Sequence, residues 1–197
     1  RVFNDSEHHP GEAEISAALK SFLEPSPRVA IVSGHGDRTM NNWGSRGYNS
    51  FSRNLDFRKS LVNQGFAPEE LNLSEGDIPK GIDILVLADL KTPLTPVETE
   101  RLNDYIARGG NMYLLCDDMR TENMNPIVRQ LGIEFGPNML VAPVKDQDPT
   151  ILPAVIAEEA AEIYPRYRLL RMLGYRVGLR GSVCIKSCND DSAFRMI

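Results

Sequence analysis

Residues 81–90 read GIDILVLADL and give the strongest strand signal in the chain. A short apolar run without polar alternation is typical of a strand that is buried on both faces of a parallel sheet. Two further runs of this kind are RVAIVS at residues 28–33 and MYLLCDD at residues 112–118. The sequence therefore predicts three strands of one sheet, of which residues 28–33 fit a strand that is buried on both faces.

Helical patterns alternate with these strands. Apolar residues at helical spacing predict helices within residues 9–27, 52–65, 94–111 and 122–133, the third beginning after Thr95 and ending at Gly109 and Gly110. Weaker strands are predicted around residues 71–73 and at NMLVAP, residues 138–143. This alternating order favours an α/β fold, a mostly parallel sheet with helices on both faces.

The pattern changes near residue 145. Residues 148–164 have helical character around their alanines and glutamates, and residues 175–186 resemble a pair of strands interrupted by Gly178 and Gly181. We predict a leading helix and linker at residues 1–27, an α/β domain at 28–145, and a C-terminal segment at 146–197 that completes the same domain.

The net charge is −5, and the basic residues are scattered among acidic ones. Nucleic acid is not an expected partner, because phosphate neutralisation needs a concentrated basic surface. The three cysteines form no CxxC unit and cannot all pair, so neither a disulfide framework nor a zinc site is expected. No apolar run approaches the ~20 residues that cross a bilayer. Since the chain begins at Arg1 without a methionine, we expect a fragment whose anchor lies elsewhere.

The connection after the first strand is unusually long. It opens with Ser33-Gly34-His35-Gly36-Asp37-Arg38 and runs for roughly twenty residues, and such a connection is either functional or disordered. The strand ends at Asp89 and at Cys116-Asp117-Asp118 should face the same crevice, because ligands of open parallel sheets bind outside the carboxyl ends of the strands.

Three kinds of chemistry are possible at this edge. Gly34 and Gly36 lack the third glycine and the adjacent helix of a dinucleotide fingerprint, so no nucleotide cofactor is expected. Cys116 with His35 as base would make an amidase-like hydrolase, although Leu115 and Asp117 flank the cysteine instead of the glycines of a nucleophile elbow. A cation held by the histidine and aspartates is disfavoured, because such carboxylates are commonly solvated or cap helices.

The preferred interpretation is an ordered flap without chemistry. Its arginines would pair with the strand-end aspartates, and Trp43 and Tyr48 would be its apolar anchors. The predicted binding residues are Gly34, His35, Gly36, Asp37, Arg38, Trp43, Arg46, Tyr48 and Asp89, within a binding flap at residues 34–53.

These segments resemble a known family. The Gly34-His35-Gly36 turn, the Asn63-Gln64-Gly65-Phe66 exit, the strand unit at residues 78–89 and the helix at residues 93–110 are similar to the extracytoplasmic domain of gliding-motility-type ABC transporter auxiliary proteins. The resemblance implies a flavodoxin-like or class I amidotransferase-like three-layer sandwich without catalytic residues or cofactors.

It further implies a membrane-anchored accessory protein whose domain lies in the periplasm and contacts other subunits of an ABC-type transport complex. Two alternatives remain open from the residues themselves. One is the hydrolase that uses Cys116 and His35, and the other is a sugar- or peptide-binding receptor domain.

Overall fold

The computed structural model describes residues 11–36, 38–44, 47–116, 120–143 and 147–188. The contacts within the chain group it into two compact units, Arg1–Cys116 and Asp117–Ile197. The domain limits expected at residues 28, 145 and 146 stay a prediction, because this grouping does not test which segments fold together.

A four-stranded, all-parallel sheet with the order β2-β1-β3-β4 forms the centre of the first unit and is flanked by helices. This confirms the predicted α/β class and is consistent with a three-layer sandwich. The elements of the first unit are α1 (Glu12–Leu23), β1 (Arg28–Ser33), α2 (Asn49–Ser52), β2 (Ala67–Asn72), β3 (Ile84–Ala88), α3 (Pro96–Ala107) and β4 (Asn111–Leu115).

The inner strands β1 and β3 carry the core. Val29 and Ile31 of β1 and Val86 and Ala88 of β3 form one buried cluster with Met40, which comes from the long connection after β1. Burying a side chain of this size contributes roughly 1.5–3 kcal/mol. Residues of the connection therefore help to cover one face of the sheet.

The helix predicted over residues 52–65 is wrong. Only Ser52, the last residue of α2, is helical in this range, and most of the remainder consists of turns. The side chain of Asn63 explains the difference: its Nδ2 donates to the carbonyl oxygens of Leu55 and Phe57, both at 2.9 Å. Asn54 Oδ1 accepts from the backbone of Asp56 at 2.9 Å. Such side-chain bonds to the backbone compete with helix formation.

The second unit has two antiparallel strand pairs, β5 with β8 and β6 with β7. Its elements are α4 (Thr121–Val128), a 3₁₀ turn (Arg129–Leu131), β5 (Ile133–Met139), β6 (Ile151–Val155), α5 (Glu158–Ile163), α6 (Pro165–Met172), β7 (Arg176–Arg180) and β8 (Val183–Ser187).

Two local predictions are wrong in the second unit, and two of its elements were not predicted. The strand expected at 138–143 lies earlier in the chain, as β5. Asn125 on α4 fixes β5 there, because its Nδ2 donates to Phe135 O and its Oδ1 accepts from Phe135 N. The strands around Gly178 and Gly181 exist but pair with β6 and β5 instead of with each other. The pattern also did not predict β6 or α6.

Candidate functional site

The carboxyl ends of β1, β3 and β4 meet at one edge of the sheet, because the three strands are parallel neighbours. Two backbone bonds join the loops that follow them. Lys91 N donates to His35 O at 3.0 Å, and Asp89 N donates to Leu115 O at 2.9 Å. The structure thus brings His35, Asp89 and the end of β4 together, as expected from the sequence.

The turn after β1 requires its two glycines. Gly34 has φ 113° and Gly36 has φ 66°, both in the region that L side chains rarely adopt. A Cβ on Gly34 would lie 3.1 Å from Asn72 Oδ1, and one on Gly36 would lie 3.1 Å from the Lys91 side chain. These glycines therefore serve a tight turn packed between two neighbouring loops.

His35 is buried and attaches this turn to the start of α3. Its Nε2 lies 3.0 Å from Glu98 Oε1, and its Nδ1 lies 3.2 Å from Thr92 Oγ1. Only 7% of the His35 surface is exposed, and 3% of Glu98. Because an ionised carboxylate only accepts hydrogen bonds, Nε2 carries the hydrogen. Both ring nitrogens therefore have partners within the fold.

Glu98 also caps α3. Its Oε2 accepts from Thr95 N at 2.8 Å and from Thr95 Oγ1 at 2.7 Å, which completes a capping box. Burial by itself would raise the pKa of Glu98, but the hydrogen bonds from Thr95 and His35 outweigh it and hold the pKa below the ordinary 4.5. One carboxylate thus stabilises both the helix end and the loop after β1.

Two side chains anchor the middle of the flap, residues 34–53. Met40 is fully buried in the core cluster, and Tyr48 packs against that cluster and makes an edge contact with Phe51 at 5.8 Å between ring centroids. The Arg38 guanidinium lies 5.7 Å from the centroid of the Tyr48 ring. Tyr48 is therefore an apolar anchor of the flap, as predicted. Met40 was not predicted as an anchor, because a lone methionine in a polar stretch has no periodic signal.

Trp43 is not an anchor. It is 68% exposed, so its predicted role in apolar packing is wrong. The bridge between Thr39 and Gly47 closes the base of the loop, and the described residues 41–44 between them are all exposed. Trp43 consequently lies at the tip of the flap.

The described arginines of the flap region have varied partners. Arg53 Nη1 donates to Asn41 Oδ1 at 3.1 Å, and Arg58 lies 3.6 Å from Glu14 of α1. The predicted pairing of Arg53 with strand-end aspartates is thus replaced by a bond within the flap. Asp37, Arg46, Asp117 and Asp118 lie outside the described residues.

Asp89 follows β3 in a strained conformation. It has φ 51° and is 5% exposed. Aspartate tolerates the left-handed region better than most residues, yet the conformation still has a cost. It lets the chain turn directly from β3 toward the loop that reaches His35, so the predicted site residue has a backbone role.

Cys116 and His35 come from strands that are not neighbours. β3 lies between β1 and β4, and adjacent strands are about 4.8 Å apart, so the two strand ends are separated by roughly 10 Å.

Among the described residues, no group of three or more His, Cys, Asp or Glu side chains is close enough to bind a metal ion.

A groove of about 650 Å³ lies away from this edge. It is lined by α1 and residues 62–66, which precede β2, and it includes none of the predicted site residues. No helix in the described ranges combines the length and apolar character needed to cross a bilayer.

The fold resembles that of a solved structure titled "mmIFT52 N-terminal domain". The match has a TM-score of 0.58 and 12% sequence identity, and it covers 81% of this chain and 68% of that chain. At this identity the likeness supports the fold alone. A search of the curated proteins gave no match.

A family model gives the stronger relationship. The model described as "ABC-type uncharacterized transport system", an ABC-transporter auxiliary family, matches residues 26–178, which is more than half of the chain. This confirms the resemblance noted in the sequence at the level of an auxiliary transport component. The chain therefore belongs to this family of auxiliary components of ABC-type transport systems.

Proposed function

We propose that this chain is a non-catalytic, extracytoplasmic binding or scaffolding domain of a membrane-anchored accessory protein, of the gliding-motility type, in an ABC transport complex. Its partners are other subunits of that complex. Family membership supports the role in transport. The non-catalytic role is argued from the carboxyl edge of the sheet.

The engagement of His35 is the observation that carries the proposal. A general base needs a ring nitrogen within hydrogen-bond reach of the group it deprotonates. Here Nε2 is directed to Glu98 and Nδ1 to Thr92, both in segments that lead into α3. This arrangement favours a structural role for His35, which holds the flap in place. It argues against a catalytic role in which His35 is the base that activates Cys116.

The shape of the flap supports a binding role. Its base is held by His35, Met40 and Tyr48, whereas its tip exposes Trp43. Exposed aromatic residues on a rigid base are typical of interaction hot spots, because they bury a large area with little loss of side-chain entropy. We therefore place the contact with a partner subunit at residues 41–44.

Photo-crosslinking in the native host tests the proposal. A photoreactive amino acid replaces Trp43 in the full-length protein, and Lys80, an exposed residue before β3, is the control position. We expect a covalent adduct with a subunit of the ABC transporter, identified by mass spectrometry, from position 43 and not from position 80. Absence of that adduct, or equal yields at both positions, would contradict the flap as the binding surface.

The extracytoplasmic location has its own test. Cys188 is an exposed free cysteine. A membrane-impermeant maleimide added to intact spheroplasts should label Cys188 in the full-length protein as completely as it does after lysis. Labelling that requires lysis would place the domain in the cytoplasm.

A further inference from the structure

Residues 164–180 form a local basic segment in an acidic chain. This stretch, YPRYRLLRMLGYRVGLR, contains five arginines and no aspartate or glutamate, whereas the whole chain has a net charge of −5. Every residue from 164 to 180 is exposed apart from the half-buried Leu170. The segment is therefore more basic than the composition of the whole chain suggests, and two of its five arginines, Arg171 and Arg180, pair with Glu158 and Asp148.

Helix α6 displays an exposed apolar side. Leu169, Met172 and Leu173 are 57%, 78% and 62% exposed. Their spacing of three and four residues places them on the same side of the helix. Exposed aliphatic side chains are ordinary when they are single, but a contiguous group marks an interaction surface.

The opposite side of α6 is used within the fold. Arg171 donates to Ile156 O at 3.1 Å and to Glu158 Oε2 at 3.2 Å, which holds α6 beside α5. Contact with α5 on this side leaves the apolar side directed away from it. The exposed leucines and methionine are therefore not the packing surface of α6 against α5.

Two arginines border the apolar side. Arg166 precedes Leu169 by three residues, and Arg168 precedes Met172 by four, so each lies next to an exposed apolar side chain on the helix surface. Neither arginine makes an ion pair within the part of the chain that the structure describes. We call the set Arg166, Arg168, Leu169, Met172 and Leu173 the α6 surface.

We propose that the α6 surface binds the headgroup region of an anionic phospholipid bilayer. The arginines would meet lipid phosphates while Leu169, Met172 and Leu173 enter the acyl boundary, as in amphipathic helices that lie in the plane of a membrane. Nucleic acid would satisfy the arginines but not the aliphatic side chains, and therefore fits the surface less well. The inference is independent of the flap and its proposed partner.

Vesicle sedimentation tests whether the two arginines of the α6 surface contribute to membrane binding. We expect the chain to bind vesicles made of phosphatidylglycerol and phosphatidylcholine in equal parts, and not to bind vesicles of pure phosphatidylcholine. Binding should weaken as the salt concentration is raised. The double substitution Arg166→Glu/Arg168→Glu should weaken binding about tenfold or more, because each basic residue near such a surface contributes about 1 kcal/mol. The matched control Lys59→Glu/Lys80→Glu has the same charge change at exposed sites and should leave the affinity within about twofold of wild type.

Two further variants test the apolar contact. Leu169→Gln/Met172→Gln keeps all charges and should also weaken vesicle binding. Met172→Trp, in a Trp43→Phe background, should shift its emission to shorter wavelength only with anionic vesicles, and normal circular dichroism would show that the variants fold. No binding to anionic vesicles would overturn the proposal, as would an equal loss in the lysine control. Binding that is insensitive to Leu169→Gln/Met172→Gln and is matched by a DNA duplex would assign the surface to nucleic acid instead.

Discussion

The single most informative residue is Glu98, whose two carboxylate oxygens bind different segments. Oε1 contacts His35 in the loop after β1, and Oε2 completes the cap of α3. The capping box was readable from sequence, since Thr95 precedes Glu98 by three residues. The contact with His35 was not, because 63 residues separate the partners and only the folded sheet brings them together.

Replacing Glu98 by glutamine should make stability less dependent on acid. Because the pKa of Glu98 is lowered in the folded protein, its ionised form stabilises the fold above pH 4.5, and this contribution is lost as pH falls through the folded-state pKa. At pH 7 we expect Glu98→Gln to reduce the free energy of unfolding by about 1–3 kcal/mol. The difference from wild type should shrink below pH 4.5 in urea titrations.

The control for this measurement is Glu100→Gln on the same helix, where the side chain is exposed. It should leave stability nearly unchanged at every pH. If Glu98→Gln lowers the free energy of unfolding by the same amount from pH 3.5 to pH 7, the loss of stability comes from the changed shape of the side chain and not from its charge.

Asp89 allows backbone strain to be separated from side-chain contacts. Asp89→Ala and Asp89→Gly both remove the carboxylate, but only glycine adopts φ 51° freely. We expect the glycine variant to be more stable than the alanine variant by about 1 kcal/mol in thermal or urea unfolding. An alanine variant of equal or greater stability would mean that the left-handed conformation relaxes at no cost.

Among the elements, the turns at residues 54–65 show where periodicity misleads. Leu55, Phe57, Leu61 and Val62 match a helical spacing, yet Asn63 holds the backbone in turns. By contrast, α3 was predicted well, because Thr95, Pro96 and the Gly109-Gly110 exit are local signals that need no tertiary contact. Strands β1 and β3 were likewise evident, since central strands are continuously apolar. The apolar run of β4 also predicted a strand, but β4 lies at the edge of the sheet and has no fully buried residue.

Asn63→Ala should destabilise the protein through these turns. Asn63 is 1% exposed, and its loss leaves the carbonyl groups of Leu55 and Phe57 without their shared donor. The expected decrease in the free energy of unfolding is about 2–3 kcal/mol. Asn42→Ala, at an exposed position of the flap, should change it by less than about 0.5 kcal/mol. Similar effects of the two substitutions would argue against the role of Asn63.

At the scale of the whole molecule, composition gave an incomplete account of charge. The excess of acidic residues is real, but averaging over 197 residues hid the five arginines at residues 164–180. Similarly, a lone Met40 and the paired positions of β5 with β8 follow from contacts between distant segments. Such contacts are set by the tertiary fold and leave no pattern in a short window of sequence.

The three thiols provide a test of the non-catalytic proposal across the molecule. Cys188 is exposed, whereas Cys116 and Cys184 are half-buried. We expect Cys188 to react fastest with a maleimide at pH 7 and His35→Gln to leave the Cys116 rate unchanged, as followed by mass spectrometry. Rapid modification of Cys116 that disappears in His35→Gln would instead support the amidase-like alternative.

The position of Trp43 gives the protein a natural optical probe. It is the only tryptophan in the chain, and it lies at the exposed tip of the flap. Intrinsic emission of the unlabelled protein therefore reports from one known place. A molecule that binds at the tip and covers the indole would shift its emission wavelength and reduce its quenching by iodide. Binding of a candidate subunit can therefore be screened without attaching a dye.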